Sequence, residues 1–243
     1  MICATTANFP GFDVLSALRY LQQGAIEPFW GRLSMAHVQL CPQNPGRLTP
    51  EFCEKLMDTY PHTQFRLHAN ARVLEKHVLW DLSMLNSETA HYFKQLADIS
   101  RVLKAPAYSL HAGYRENCNL QEMLDRYWQL QEWFGDIPVA IEGLYPSRHR
   151  PQLMDSIDEY RFVFESGAKM AIDLSHLQII ASSDSEFDWK EVKSWLSSSQ
   201  CLEIHVSEND GTGDQHRAIK ASPRWMEALE TKTAICFSEG RLK

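Results

Sequence analysis

"CLEIHVSENDGTGDQH", residues 201–216, opens like a buried strand, with Cys201, Leu202, Ile204 and Val206 apolar and Glu203 and His205 set among them. It then becomes a polar, glycine-containing loop that closes on Asp214 and His216. Seven further short runs rich in strand formers accompany it, at 1–7, 37–41, 64–69, 107–112, 138–143, 169–174 and 234–239. Between them lie segments of helical period at 12–23, 50–58, 87–103, 120–134, 151–166, 188–198 and 223–230. Thr49 and Pro50 mark one helix start as N-cap and first helical residue. The run 87–103 repeats apolar residues every three or four positions, the mark of one buried helix face. Eight β units alternating with helices predict an α/β protein with a parallel sheet. Eight is also the number that closes a (β/α)8 TIM barrel. A doubly wound open sheet is the alternative. Only residues 240–243 follow the last run, so the barrel is expected to lack its last helix, and 1–243 reads as a single domain.

The place of His205 then becomes informative. His68 ends "FRLH", His111 ends "YSLH", Glu142 ends "VAIE", Asp173 ends "MAID", His205 sits in "LEIH" and Glu239 ends "CFSE". Six successive strands thus carry a histidine or a carboxylate at the carboxyl end, where a parallel barrel gathers its catalytic groups. Alone, each has a plain explanation: a hydrogen-bonded histidine or a helix N-cap. Together they would converge on the barrel axis, and imidazoles and carboxylates packed there are costly to bury without a cation. Mixed nitrogen and oxygen donors suit Zn, Mn or Fe, whereas calcium takes oxygen alone. His176 lies three residues beyond Asp173, within one helical turn. Asp214 and His216 lie two apart, on one side of an extended loop. That makes nine candidate ligands, more than one ion needs. Around the mouth, Arg72, Tyr114, Arg115 and Arg217 are candidates for holding a polar or anionic substrate, with Tyr145, Arg148 and Arg150 in the same loops.

Composition narrows the alternatives. The net charge of −7 gives no global attraction to nucleic acid or anionic membrane. The amino terminus carries neither a basic segment nor a long apolar one, and no run is long enough to span a bilayer, so a cytoplasmic location is expected. The six cysteines form no CxxC pair and read as buried free thiols.

The order His68, His111, Glu142, Asp173-x-x-His176, His205, Asp214-x-His216, Glu239 resembles the xylose isomerase-like barrels, and within them the endonuclease IV type of metal site. The resemblance spans roughly residues 60–240. It implies two or three divalent metal ions, with Glu142 bridging two and Asp173, His205 and Glu239 completing the central positions. His176, Asp214 and His216 would hold a further ion, with His68 and His111 completing another. It further implies a hydrolase that cleaves phosphoesters by metal-activated hydroxide, with Glu142, Asp173 and Glu239 as its catalytic carboxylates and abasic DNA as a candidate substrate. Two stretches depart from that type. "HANARVL" carries Ala71 and Arg72 where the family has a Tyr-Leu wedge, and "MICATTANFP" lacks the Gly-Ala-His-Val opening. A looser resemblance is to the multinuclear non-heme iron enzymes that oxidise a precursor peptide or small molecule with a partner protein. Those have Glu-Asn where this chain has Glu142-Gly143. Sugar isomerases and epimerases of the same superfamily are a third reading, needing fewer ligands. Barrel surface left bare beside the last strand is a candidate contact for a second copy or a partner protein.

Overall fold

A computed structural model describes residues 1–147, 149–230 and 232–243; Arg148 of the mouth loops lies outside the described residues. Eight strands form one sheet: β1 (Ile2–Thr5), β2 (Ser34–Leu40), β3 (Gln64–Leu67), β4 (Tyr108–His111), β5 (Val139–Glu142), β6 (Met170–Asp173), β7 (Cys201–Val206) and β8 (Ile235–Ser238). Their order is β3-β2-β1-β8-β7-β6-β5-β4, and every pairing is parallel. The ends of that order meet at a seam between β3 and β4. There the bridge His68–Ser109 and the bond from Ala69 N to the Ser109 carbonyl (2.8 Å) draw the barrel nearly shut. Ala69 turns the chain out of β3 with a left-handed φ of 49°, and the Tyr108 hydroxyl donates to its carbonyl at 3.0 Å. This is the α/β TIM barrel expected from the strand count.

The helices are α1 (Val14–Gln22), α2 (Pro50–Thr59), α3 (Ala90–Val102), α4 (Leu120–Phe134), α5 (Ile157–Glu165), α6 (Leu174–Ser183), α7 (Trp189–Leu196) and α8 (Met226–Leu229). Thr49 caps α2 as expected, its side chain accepting from Phe52 N. Asn119 and Glu122 form a reciprocal capping box on α4. The helices depart from the sequence reading most at three places. The 151–166 helix begins at Ile157 and the 223–230 helix shrinks to one turn. A helix not anticipated, α6, springs directly from the end of β6. No helix follows β8 among the described residues. A two-stranded ribbon (Ile26–Glu27 with Gly31–Arg32) is fastened by Glu27, whose carboxylate accepts from Phe29 N (2.9 Å), Trp30 N (2.8 Å) and Ile219 N (2.5 Å).

The core lies between sheet and helices, where Leu18, Leu56, Phe93, Leu96, Tyr160, Leu177 and Val192 are fully covered. All six cysteines are buried and unpaired in disulfides. No described helix is long and apolar enough to cross a membrane.

Candidate metal centre

Strand register assembles the site. His111 pairs with Glu142 across β4 and β5, and Asp173 pairs with His205 across β6 and β7, so neighbouring strands deliver adjacent donors to one end of the barrel. Glu239 follows β8 directly, and its segment is clamped by Asn8. The Asn8 amide donates to the carbonyls of Ser238 (2.8 Å) and Gly240 (2.7 Å).

Asp173 does two jobs with its two oxygens. Oδ1 caps α6, accepting from Ser175 N (2.6 Å) and His176 N (3.2 Å). Oδ2 is buried with no hydrogen-bond partner and faces His176 Nε2 at 3.5 Å. Capping the helix therefore leaves one Asp173 oxygen turned toward the site. The helix turn that Asp173 starts carries His176 into the site, where its Nδ1 lies 3.0 Å from the Gly143 carbonyl.

The loop after β7 returns as the sequence suggests. Glu208 and Arg217 pair as an antiparallel bridge, with N–O distances of 2.8 and 3.1 Å, and fold residues 209–216 back over the barrel mouth. His216 adopts a left-handed φ of 45°, a strained backbone for a histidine. Its Nε2 then meets Asp214 Oδ2 at 2.8 Å, and its Nδ1 faces Glu239 Oε2 at 3.6 Å.

The nine candidate ligands thus converge. Glu142 Oε2 lies 3.3 Å from His205 Nδ1, 3.5 Å from His68 Nε2 and 3.9 Å from His111 Nε2. Glu239 Oε1 lies 3.6 Å from His205 Nδ1 and 3.7 Å from His68 Nε2. Asp214 Oδ2 lies 3.5 Å from His176 Nε2. Most of these gaps are long for hydrogen bonds. They match the spacing of donors that share an ion bonded at about 2.1 Å to each. Among these nine side chains, five buried atoms have no hydrogen-bond partner: Glu142 Oε2, Asp173 Oδ2, His205 Nδ1, His216 Nδ1 and Glu239 Oε1. Three groups have donor atoms mutually within 4.8 Å: His68–His205–Glu239, His68–His111–Glu142 and Glu142–Asp173–His176. Glu142 and His68 each belong to two of them. The donor set fits divalent cations of the zinc, manganese or iron type.

Charge balance supports the same reading. Burial alone would raise the Glu142 carboxyl, but His205, His68 and His111 outweigh it and hold it well below the usual range. Asp214, also buried, is held far down by His176 and His216. Burial disfavours the charged forms of His176 and His216, but their acidic neighbours prevail and push them up to about 10 and about 9. His205 rises well above its ordinary value in the same way, chiefly through Glu142 and Glu239. His68, dominated by burial, falls to about 3, and burial raises Glu239. Without a cation, protons on histidines balance the carboxylates. A bound cation would take their place.

A cavity of about 320 Å³ opens above these groups, with His68, His111, Glu142, His176, Asp214, His216 and Glu239 at its floor. Asp173 and His205 lie behind that floor, and Leu79, Tyr114, Tyr145 and Arg150 stand among its walls. Arg150 stacks on Tyr114 at 3.4 Å from the ring centroid and pairs with Glu116. Of the four residues expected to hold substrate, Tyr114 alone lines the cavity. Arg72 donates to the Pro42 carbonyl at 2.8 Å. Arg115 is clamped by Asp155 (2.6 Å) and Glu159 (2.8 Å), and Arg217 faces Asp210 at 3.6 Å.

Sequence reasoning passed over a polar layer directly beneath the candidate ligands. Glu203 is fully buried; its Oε1 accepts from Arg66 Nη1 at 2.9 Å, and its Oε2 accepts from Gln39 (2.6 Å) and Ser109 (3.0 Å). Burial opposes ionisation of Glu203, yet Arg66 and His205 hold it down at about 2. A signal was present. Arg66 and His68, Ser109 and His111, and Glu203 and His205 are each two apart on a strand and so share its face.

No family model matches the chain, and no curated protein matches it by sequence. Solved structures do match in fold. A D-tagatose 3-epimerase-like protein superposes with TM-score 0.67 at 12% identity, covering 98% of this chain and 89% of its own. A xylose isomerase domain containing protein from Salmonella typhimurium LT2 gives TM-score 0.65 at 15% identity, covering 97% and 86%. An AP endonuclease of family 2 from Brucella melitensis gives TM-score 0.60 at 13% identity, covering 98% and 92%. These likenesses agree with the TIM-barrel fold seen here, and the structural neighbours include xylose isomerase-like proteins, epimerases and a family 2 AP endonuclease.

Proposed function

We propose that the protein is a metal-dependent enzyme holding two or three divalent ions and hydrolysing a phosphoester of a polar or anionic substrate, in the manner of the endonuclease IV type. The observation that carries this reading is the convergence of nine histidine and carboxylate side chains with five buried polar atoms left unpartnered. An epimerase site needs fewer donors and would leave Asp214 and His176 without a task. When bound, the ions would lower the pKa of water and clamp the attacking and leaving oxygens of a displacement. The chain's own part is placement. Glu142 stands between two donor groups, Asp173 and Glu239 close the centre from either side, and Asp214 with His216 closes it from above. Tyr114, with Arg150 stacked on its ring and paired to Glu116, offers a flat polar edge to a substrate.

The cavity volume and the self-paired state of Arg72, Arg115 and Arg217 favour a small substrate, or one end of a chain, over a broad duplex footprint. The same size favours a second reading, epimerisation of a free sugar, the chemistry named for the first of the neighbours above.

A substrate panel on metal-loaded protein tests the choice: an aryl phosphodiester, an abasic-site oligonucleotide and a set of ketohexoses. Turnover of a phosphoester, lost on chelation, is the expected result. Epimerisation of a ketohexose with no phosphoesterase activity would replace the first reading with the second. Oxygen consumption by an iron-loaded form would replace both with oxidation.

A further inference from the structure

The interior of a parallel barrel is ordinarily filled with branched apolar side chains. This one places an ion pair there, Arg66–Glu203, with the two side chains 3% and 0% exposed. Such a pair is seldom the most stable filling for its volume. Its contacts point upward, to the histidines above it.

We propose that Glu203, held by Arg66, is a positioning residue for the metal centre. Acting through Ser109 on His68 and directly on His205, it turns the lone pair of each imidazole toward Glu142 and Glu239. The proposal rests on the metal-centre reading above and goes beyond it, since none of Arg66, Glu203 and Ser109 is a ligand.

Hydrogen-bond direction carries the argument. Ionised Glu203 can only accept, so the single hydroxyl proton of Ser109 goes to it, over 3.0 Å. Toward His68 the Ser109 oxygen can then only accept, and it lies 3.0 Å from Nδ1. That fixes the His68 proton on Nδ1 and leaves the Nε2 lone pair facing Glu142 (3.5 Å) and Glu239 (3.7 Å). On the other side, His205 Nε2 lies 3.2 Å from the same carboxylate oxygen, Oε2. A proton on Nε2 donated there leaves Nδ1 facing Glu142 (3.3 Å) and Glu239 (3.6 Å). Gln39 competes, its amide nitrogen lying 2.9 Å from His205 Nε2 as well as 2.6 Å from Glu203. Donation from Gln39 to Nε2 would favour a proton on Nδ1. An ion held at Nδ1 would leave the ring its proton on Nε2, and Glu203 is the acceptor placed for that proton. Arg66 is fixed in turn by Phe237, 5.1 Å beneath its guanidinium, and by His37 Nδ1 at 3.2 Å. One carboxylate therefore sets the ring orientation of two histidines, as carboxylate–histidine pairs do behind many metal sites. His176 is oriented separately, by the Gly143 carbonyl.

The test is stepwise Co²⁺ binding to the metal-free protein in competition with a chromophoric chelator, alongside the melting temperature of the metal-free form. Ser109→Ala removes the relay to His68 and little else. The expected result is a loss of about 10–100-fold in affinity for one class of ion, with the other class and the metal-free melting temperature unchanged, and recovery in Ser109→Thr. A double variant, Arg66→Met with Glu203→Gln, removes the charges together and is expected to weaken the same class. Wild-type affinity for every ion in Ser109→Ala overturns the proposal while leaving the metal centre standing. So does a uniform loss accompanied by a lower melting temperature, which is the signature of a structural role. Wild-type protein that takes up no Co²⁺ would overturn the metal-centre reading and this proposal with it.

Discussion

The two sides of the centre are built differently. On one side His68, His111, His205, Glu142 and Glu239 sit on or at the ends of strands, and a buried polar layer braces them from below. On the other, His176 rides the first turn of a helix, and Asp214 and His216 hang from a loop whose histidine has a left-handed backbone. The first side is positioned by register, which packing enforces along the whole barrel. The second depends on a helix cap, one antiparallel bridge and a strained residue. Strands thus supply most of the candidate ligands, and a helix turn and a loop supply the rest.

The comparison can be broken at its joint. Glu142 faces His68, His111 and His205 on the strand side and His176 on the other, at 3.8 Å. Glu142→Gln is expected to abolish turnover and lower metal content while circular dichroism and melting stay near wild type. Full activity in that variant would refute the site assignment. Arg66→Met alone strips the partner from a fully buried carboxylate and is expected to cost about 3–5 kcal/mol of stability, read by urea denaturation. The strand side should suffer most. Asp214→Asn should act on the loop side only, removing one ion per chain with little change in fold. Loss of every ion would show that the two sides are not separable.

A pH series sharpens the contrast. His176 and His216 are raised from 6.5 to about 10 and about 9 in the folded, ion-free protein. Groups raised on folding contribute stability that is full below the unfolded pKa and lost as pH climbs through the folded one. Ion-free stability is therefore expected to fall between pH 6.5 and 10. Metal affinity should rise over the same window, because uptake must displace those protons. The smallest effect is expected at Cys41, whose buried thiol is pushed up to about 12. Cys41→Ser should leave metal content unchanged.

The barrel and the convergence of the candidate ligands were legible because both are written in strand periodicity: eight apolar runs, with one donor at or near the end of each of the last six. The helix α6 was not. Its sequence "LSHLQIIASS" follows β6 without a break, because Asp173 ends the strand and caps the helix in the same residue. The partners of Arg72, Arg115 and Arg217 were not legible, for a different reason. Arg115 finds its acids 40 and 44 residues away, in Asp155 and Glu159, and spacing along a chain does not disclose such a partner. The polar layer escaped on similar grounds: Glu203 alone resembles an edge charge, and only Gln39, Arg66 and Ser109 from three other strands make it a buried hub.

The measurement that bears most directly on this account is metal identity and stoichiometry. It would be made by elemental analysis of protein purified anaerobically and without a metal-affinity step. Two or three divalent ions per chain is the predicted result, with zinc or manganese pointing to hydrolysis and iron to oxidation. A well-folded protein that holds no ion, and gains none when dialysed against these metals, would contradict the central claim.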